Sequence, residues 1–366
     1  MRVLHLISGG ETGGSKNHLI SLLRHIGTED VFLGVFQEGL LSEEARQAGV
    51  PVTVFKQKSR YDFSVLSSIR RFMKENQIDI IHTHGPRANT FTFLLRKTMK
   101  FTWITTIHSD PRQDFIKGGV KGKIFTKINM AVIKSIDHFF AVSERFKDMI
   151  VGFGVNSSKI TTIYNGIEFD LPLENKLTRQ EVGLAETDFV VTMVARLHPI
   201  KGHKETFEAI CQLKDEIPNV KLLSVGNGPM EDELKSLVKE KSLEHHVLFA
   251  GFQKDVHSFL SLSDVKLLAS YSESFPLVIL ESARAHVPVI STDVGGVKDM
   301  ISDSSLGWII PTKDAGAIAG AIREAFHEKA TGELSQKGMN LYKKASANYS
   351  VKQLADATIK TYQGLL

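Results

Sequence analysis

Short apolar runs alternate with amphipathic stretches along the whole chain. The first run (residues 2–8) leads straight into GGETGG and then a helical pattern over about 16–25. VFLGVF (31–36), a helix near 42–48, PVTVF (51–55), a helix over 64–75 and IDIIHTH (78–84) continue the alternation. A helix over 88–97, TWITTIHS (102–109), a long basic segment, HFFAVS (138–143), a helix from Glu144 and KITTIYNG (159–166) complete a first series. Strands separated by helices in this way predict a parallel sheet covered on both faces.

The pattern then breaks and restarts. A polar stretch over 169–185 reads as a linker, and DFVVTMVA (188–195) opens a second series. It runs through a helix from about 203, VKLLSVGNGP (220–229), a helix over 230–242, VLFAG (247–251), a helix near 255–262 and DVKLLAS (264–270). PVIST (288–292), GWIIP (307–311) and a helix over 314–328 close it, and a last helix begins at about 349–350. The expected fold class is α/β, with two Rossmann-like doubly wound domains facing a cleft. The expected boundaries are 1–168, a linker at 169–185, a second domain at 186–345 and a C-terminal helix at 346–366 that crosses back to the first domain.

Length agrees, since 366 residues exceed one ordinary core. A hydrophobic content of 42% with 23% charged residues is that of a globular protein, and a net charge of +4 is too weak to argue for nucleic acid. Cys211 is the single cysteine, which excludes an internal disulfide and a cysteine metal cage and makes the cytoplasm the expected compartment. The apolar opening is short for a signal-peptide core, and no apolar run approaches a membrane span. One segment is different. Over 115–134, Lys117, Lys121, Lys123, Lys127 and Lys134 are interleaved with Phe115, Ile116, Ile124, Phe125 and Ile128. That mixture suits the anionic inner face of a cell membrane, and a core helix with a solvated lysine face is the alternative.

The candidate chemistry sits at predicted strand ends. Gly9, Gly10, Gly13 and Gly14 let backbone approach a ligand after the first strand, without the G-x-G-x-x-G spacing of a dinucleotide site. Arg196 and Lys201 fall in a strand-to-helix loop, where two cations and a helix N-terminus would receive a phosphate; two solvated charges are the alternative. In the stretch 271–296, Pro276 marks the first turn of a helix, because its missing N–H has no intrahelical partner there. Glu273 then lies in the preceding loop and Glu281 inside the helix, with the N–H groups of Phe275, Leu277 and Val278 directed at a ligand. A charged helix start followed by a solvated glutamate would show the same spacing. His82 and His84 share one face of a strand, but no third ligand stands at a matching spacing, so no metal site is expected.

Taken together, Arg196, Lys201, Gly226-Asn227-Gly228-Pro229 and the Glu273-x7-Glu281 pair resemble the family 4 glycosyltransferases, a retaining family of GT-B fold. The ordered set GGETGG, IIHTHGP, AVSE, YNGIEF, VARLHPIKGH, VGNGP, ESFPLVILE and PVISTDVGG carries that resemblance over nearly the whole chain. It implies a nucleotide-diphosphate sugar as donor, most often a UDP-sugar, a glycan or lipid-linked acceptor, and no cofactor or metal. It implies an acceptor-binding first domain and a donor-binding second one. Glu281 would bind the ribose hydroxyls, and Glu273 with Ser274, Phe275, Pro276, Leu277 and Val278 the donor sugar. Arg196 and Lys201 would neutralise the diphosphate, with Gly14, Gly226 and Gly228 nearby, while Phe252 would bracket the base and His108 would meet the sugar. His18, His84, Arg87 and Asn89 would form the acceptor side. Ser274 and Pro276 stand where many relatives have glycine, and VKDM follows Gly296 where a proline-glutamate pair is frequent, so the sugar is the least specified part. A nucleotide-sugar 2-epimerase of the same architecture, or a non-catalytic nucleotide-sugar-binding subunit, are the competing functions.

Overall fold

The structure, a computed structural model, describes every residue except 12–13, 28–29, 60–61, 113–118 and 171–176. Phe115, Ile116 and Lys117 of the basic segment, Gly13 of the first glycine run and the middle of the expected linker therefore lie outside the described residues. The chain divides into two compact units, Met1–Ile167 with Val351–Leu366, and Glu168–Ser350.

In the first unit the elements run β1 (Val3–Ile7), α1 (Gly14–Ile26), β2 (Val31–Val35), α2 (Leu40–Gln47), β3 (Val52–Val54), α3 (Val65–Glu75) and β4 (Ile80–His84). They continue through α4 (Pro86–Arg96), β5 (Thr102–Ile107), α5 (Gly119–Ile133), β6 (His138–Ala141), α6 (Glu144–Gly152) and β7 (Ile160–Thr162). The second unit holds β8 (Phe189–Val194), α7 (His203–Leu213), β9 (Val220–Val225), α8 (Glu231–Glu240), β10 (Val247–Gly251), α9 (Val256–Leu260) and β11 (Val265–Leu268). After these come α10 (Leu277–Arg284), β12 (Val289–Thr292), α11 (Val297–Met300), β13 (Gly307–Ile310), α12 (Ala315–Thr331) and α13 (Glu333–Asn348). The last helix, α14 (Val351–Gly364), returns to the first unit.

The first sheet has seven strands in the order β3-β2-β1-β4-β5-β6-β7, all pairs parallel. Helices on both faces let β1 and β4 be buried at every position, which is why they read as continuous rather than alternating runs. Alternation still sorts the faces. Leu4, Leu6 and Ile81 pack with α3 and α4, whereas Val3, Ile7 and Ile80 pack with Leu19, Leu22 and Leu23 of α1 and with Leu354, Ala355 and Tyr362 of α14. By the same parity His5 and its register partner His82 lie on the α1–α14 face, as does His84 opposite Ile7.

The second sheet has six strands in the order β10-β9-β8-β11-β12-β13, again parallel. Its larger core joins Val191, Met193, Leu222 and Leu267 to Phe207 and Ile210 of α7 and Ile318 and Ile322 of α12. Each sheet reverses strand order beside its first strand, between β1 and β4 and between β8 and β11, the place where open α/β sheets leave a crevice at the carboxyl ends.

Three details correct the sequence reading. The basic segment contains a full helix, α5, and α13 occupies a stretch to which no element was assigned. Pro276 is the residue before α10, in extended conformation at φ −74°, ψ 100°, rather than a member of its first turn.

Candidate functional site

In the second unit four loops meet at the carboxyl ends of β8, β9, β11 and β12, and glycines make the meeting possible. A Cβ on Gly226, which has φ +142°, would stand 2.1 Å from the carbonyl oxygen of Ala195. One on Gly228 would stand 2.3 Å from that of Leu197. The loop after β9 therefore lies directly on the backbone either side of Arg196, tied to it by Leu197 N–H donating to Asn227 O at 2.9 Å and Ala195 N–H to Val225 O at 3.0 Å. Arg196 itself is exposed. Gly226 and Gly228 thus act first by backbone packing, a tighter reason for glycine than approach to a ligand.

Lys201 ends a short 3-10 turn, Pro199–Lys201. The adjacent Gly202 presses on Ala269, and Tyr271 N–H donates to Ile200 O at 2.8 Å, so the Lys201 loop is fastened to the loop carrying Glu273. Lys201 Nζ donates to Glu273 Oε1 at 2.5 Å. The pairing was not foreseen; the sequence separates the two by 72 residues. Gly295 in turn lies on Glu273 O and Ser274 O, and Gly296 N–H donates to Ser274 O at 2.8 Å.

Phe275 is a core side chain, its ring 5.7 Å from that of Tyr349, so of this residue only the backbone belongs to the loop surface. Leu277 and Val278 open α10, where first-turn N–H groups precede the helical ladder. Glu281 lies one turn further on; burial raises its carboxyl above the usual range while Arg284 and Lys266 pull it back. Phe252 follows Gly251 at the end of β10 and is 63% exposed, an aromatic face without a packing role.

Lys266 escaped the sequence reading. It lies in the middle of β11, fully buried, with its ammonium group unpartnered, and burial lowers its pKa to about 7 against the pull of Glu273. Its signal was present as a lone charge inside the apolar run DVKLLAS.

The first unit has its own cavity at the carboxyl ends of β1, β4 and β5, lined by Glu11, His84, Gly85, Asn89, His108 and Asn129 among others. His84 and Asn89 are buried, and His18 is buried with its ring edge-on to His108 at 5.3 Å. Asn89 accepts from Thr105 at 3.2 Å and from Thr83 at 2.5 Å, which ties α4 to β4 and β5. Arg87 lies apart from this cavity, beside a second one with Gln57 and Phe36, its guanidinium 5.1 Å from the Phe36 ring. Gly14 is the first residue of α1. No third ligand stands at a matching spacing in sequence, but β1 brings His5 beside His82 and His84, and one ligand atom from each lies within 4.8 Å of the others. Spacing along one strand could not reveal a residue supplied by the next strand.

The two parallel-sheet α/β units are those of a glycosyltransferase of GT-B architecture. Residues 12–171 match the family model described as Glycosyltransferase Family 4, and residues 174–346 match the one described as Glycosyl transferases group 1, so that the chain belongs to the glycosyltransferases. Among curated relatives it is 28% identical over 264 residues to N-acetyl-alpha-D-glucosaminyl L-malate synthase of Bacillus anthracis, covering 71% of this chain and 68% of that protein. It is 25% identical over 288 residues to the UDP-Gal:alpha-D-GlcNAc-diphosphoundecaprenol alpha-1,3-galactosyltransferase of Escherichia coli, covering 76% and 74%. The solved structure of Anabaena HepE in complex with UDP superposes with a TM-score of 0.87 at 21% identity, covering both chains completely.

Proposed function

We propose that the chain moves a sugar from a nucleotide-diphosphate donor, a UDP-sugar, to a hydroxyl of a glycan or lipid-linked acceptor, with retention at the anomeric carbon and without a metal. The observation that carries this reading is the Lys201–Glu273 pair, with Arg196 on the same loop as Lys201, on glycine-packed backbone at the carboxyl ends of β8 and β11. UDP in the HepE structure and the lipid-diphosphate acceptor in the name of the Escherichia coli relative support the choice of nucleotide and acceptor.

The chemistry follows from charge. As the bond between the anomeric carbon and the phosphate oxygen breaks, negative charge gathers on the departing diphosphate, where Arg196 and Lys201 stabilise it. The acceptor oxygen bonds to the anomeric carbon from the same face, and its proton passes to the leaving phosphate oxygen, so no carboxylate nucleophile is needed. Lys201 is engaged by Glu273 in the structure, and a bound diphosphate competes for it, leaving Glu273 to accept from sugar hydroxyls. Glu281 accepts from the ribose hydroxyls, Phe252 stacks on the base, and the N–H groups of Leu277 and Val278 meet the phosphate or sugar. His108 meets a sugar hydroxyl, and His18, Arg87 and Asn89 serve the acceptor side, with His84 acting behind His108 through the contact between their rings.

Membrane contact through α5 belongs to the same proposal. Ile124 and Ile128 are 54% and 45% exposed, beside exposed Lys121, Lys123 and Lys127, while Val132 and Ile133 are buried. Two bare isoleucines one turn apart are more than a solvated lysine face requires. Among the described residues no helix is long and apolar enough to cross a membrane.

A panel of nucleotide-sugars, scored by thermal shift and by release of nucleotide in chelator-treated buffer, tests the reading. Stabilisation and turnover by one uridine donor are expected. If no nucleotide-sugar stabilises the protein, or turnover requires added divalent metal, the proposal fails.

A further inference from the structure

The first unit contains a continuous chain of hydrogen-bonded rings that runs from the interior of the sheet to His108, the residue that the proposed transfer places at a sugar hydroxyl. Thr106 Oγ1 lies 2.7 Å from His82 Nε2, and His82 Nδ1 is bonded to the Tyr362 hydroxyl. Tyr362 lies 3.2 Å from His5 Nε2, His5 Nδ1 lies 3.1 Å from His84 Nε2, and His84 Nδ1 lies 3.2 Å from His108 Nε2. His108 lines the cavity of this unit, and the chain leaves its Nδ1 unused.

The members are uncharged. Burial takes His5 down to about 3 and His108 to about 4, holds His82 and His84 well below the usual range, and raises Tyr362 above its own. A neutral imidazole carries one N–H and one lone pair, so the role of one nitrogen dictates the other. If Tyr362 donates to His82, then His82 donates from Nε2 to Thr106, His5 donates from Nε2 to Tyr362, His84 from Nε2 to His5, and His108 from Nε2 to His84. If Tyr362 instead donates to His5, all four rings carry the proton on Nδ1. A mixture leaves two donors or two acceptors face to face in a buried site. Histidine in water favours the Nε2–H form, and four rings add that bias.

We infer that His5, His82, His84 and His108 share one tautomer, protonated at Nε2, and that Tyr362 is the positioning residue that couples them, so that His108 offers the lone pair of Nδ1 to its cavity. A hydroxyl or N–H of a ligand is what such a lone pair receives. That the ligand is a sugar rests on the proposed function; the common tautomer does not. The same three rings that could reach a metal, His5, His82 and His84, are fully engaged with one another and with Tyr362 in this arrangement. A metal-bound nitrogen carries no proton and has no lone pair left, so an ion taken up by these rings would break contacts of the chain.

The test is a long-range proton–nitrogen correlation spectrum of the histidine-labelled full chain at neutral pH, each ring assigned by single substitution. All four rings are expected in the Nε2–H form. A buried N–H without an acceptor costs more than a lone pair without a donor. Tyr362→Phe should therefore move His5, His84 and His108 to Nδ1–H and leave His82 unchanged, whereas Thr106→Val should move all four. Mixed tautomers in the natural protein, or His108 unmoved in both variants, overturns the inference. Should Tyr362→Phe fail to fold, the natural protein and Thr106→Val still decide. Absence of any sugar transfer alongside the expected spectra would count against the proposed function alone.

Discussion

Arg196 and Lys266 are two cations with opposite surroundings, and they carry opposite expectations. Arg196 is exposed on a loop whose backbone is held on both sides by Gly226 and Gly228, so its removal leaves the loop intact. Arg196→Ala should lower kcat about 10²-fold while the thermal midpoint stays in place, because the charge it balances appears only as the bond breaks. Unchanged turnover at saturating donor would remove it from the mechanism. Lys266 is buried with its pKa near 7, well below the usual lysine value. A base whose folded pKa is depressed favours the neutral form, so the fold bears a cost below the unfolded pKa and regains stability as pH rises from about 7 toward 10.5. Lys266→Met should raise stability at pH 7, by up to about 4 kcal/mol, and flatten that alkaline dependence, measured by denaturant unfolding. Equal stability would mean that Glu273 and Glu281 keep the ammonium charged. The Glu273–Glu281 spacing was legible because it lies within one loop and one helix. The Lys201–Glu273 bond was not, because it joins the ends of two neighbouring strands that only the sheet order makes neighbours.

Among the elements, strand-loop-helix order was readable almost throughout, since parallel strands covered on both faces produce dense apolar runs that amphipathic helices separate. The reading failed where that contrast weakens. Helix α13 offers few apolar residues, with Leu334, Gly338, Leu341 and Ala345 as its buried positions, and Gly338 is needed because a Cβ there would meet His286 O at 2.0 Å. Helix α5 mixes lysine and isoleucine on its exposed side, which blurs the period from the other direction. Its test is sedimentation with anionic vesicles. Neutralising Lys121, Lys123 and Lys127 should release most of the bound protein, each lysine counting for about 1 kcal/mol at such a surface, and Ile124→Ser with Ile128→Ser should do so even at low salt. Retention by both variants would make α5 an ordinary solvated helix.

At the scale of the whole chain, the two units should respond differently to acid. His5, His18, His82 and His84 are buried at 3% exposure or less with pKa values pushed below the unfolded value of 6.5 by burial first and, for His18, His82 and His84, by neighbouring histidines second. Above 6.5 these rings are neutral whether folded or not and contribute nothing. As pH falls below it the unfolded chain binds protons that the folded one refuses, and stability is lost down to the folded pKa values. At about one unit below 6.5 each ring costs about 1.4 kcal/mol, so four of them remove a large part of an ordinary domain's stability. Each unit holds one tryptophan, Trp103 in the first and Trp308 in the second, so single-tryptophan variants can follow them separately. The Trp103 signal should fail first between pH 6.5 and 4; coincident loss at both sites would refute the difference. Of the histidine row the sequence showed only that His82 and His84 share a strand face, because 357 positions separate His5 from Tyr362. That separation also bears on synthesis. A ribosome adding about 5–20 residues per second finishes the strands of the first unit well before it reaches Val351–Leu366. Until then Leu354, Ala355 and Tyr362 are missing from its core, so the nascent first unit waits, incompletely closed and in reach of chaperones, for the second to be translated.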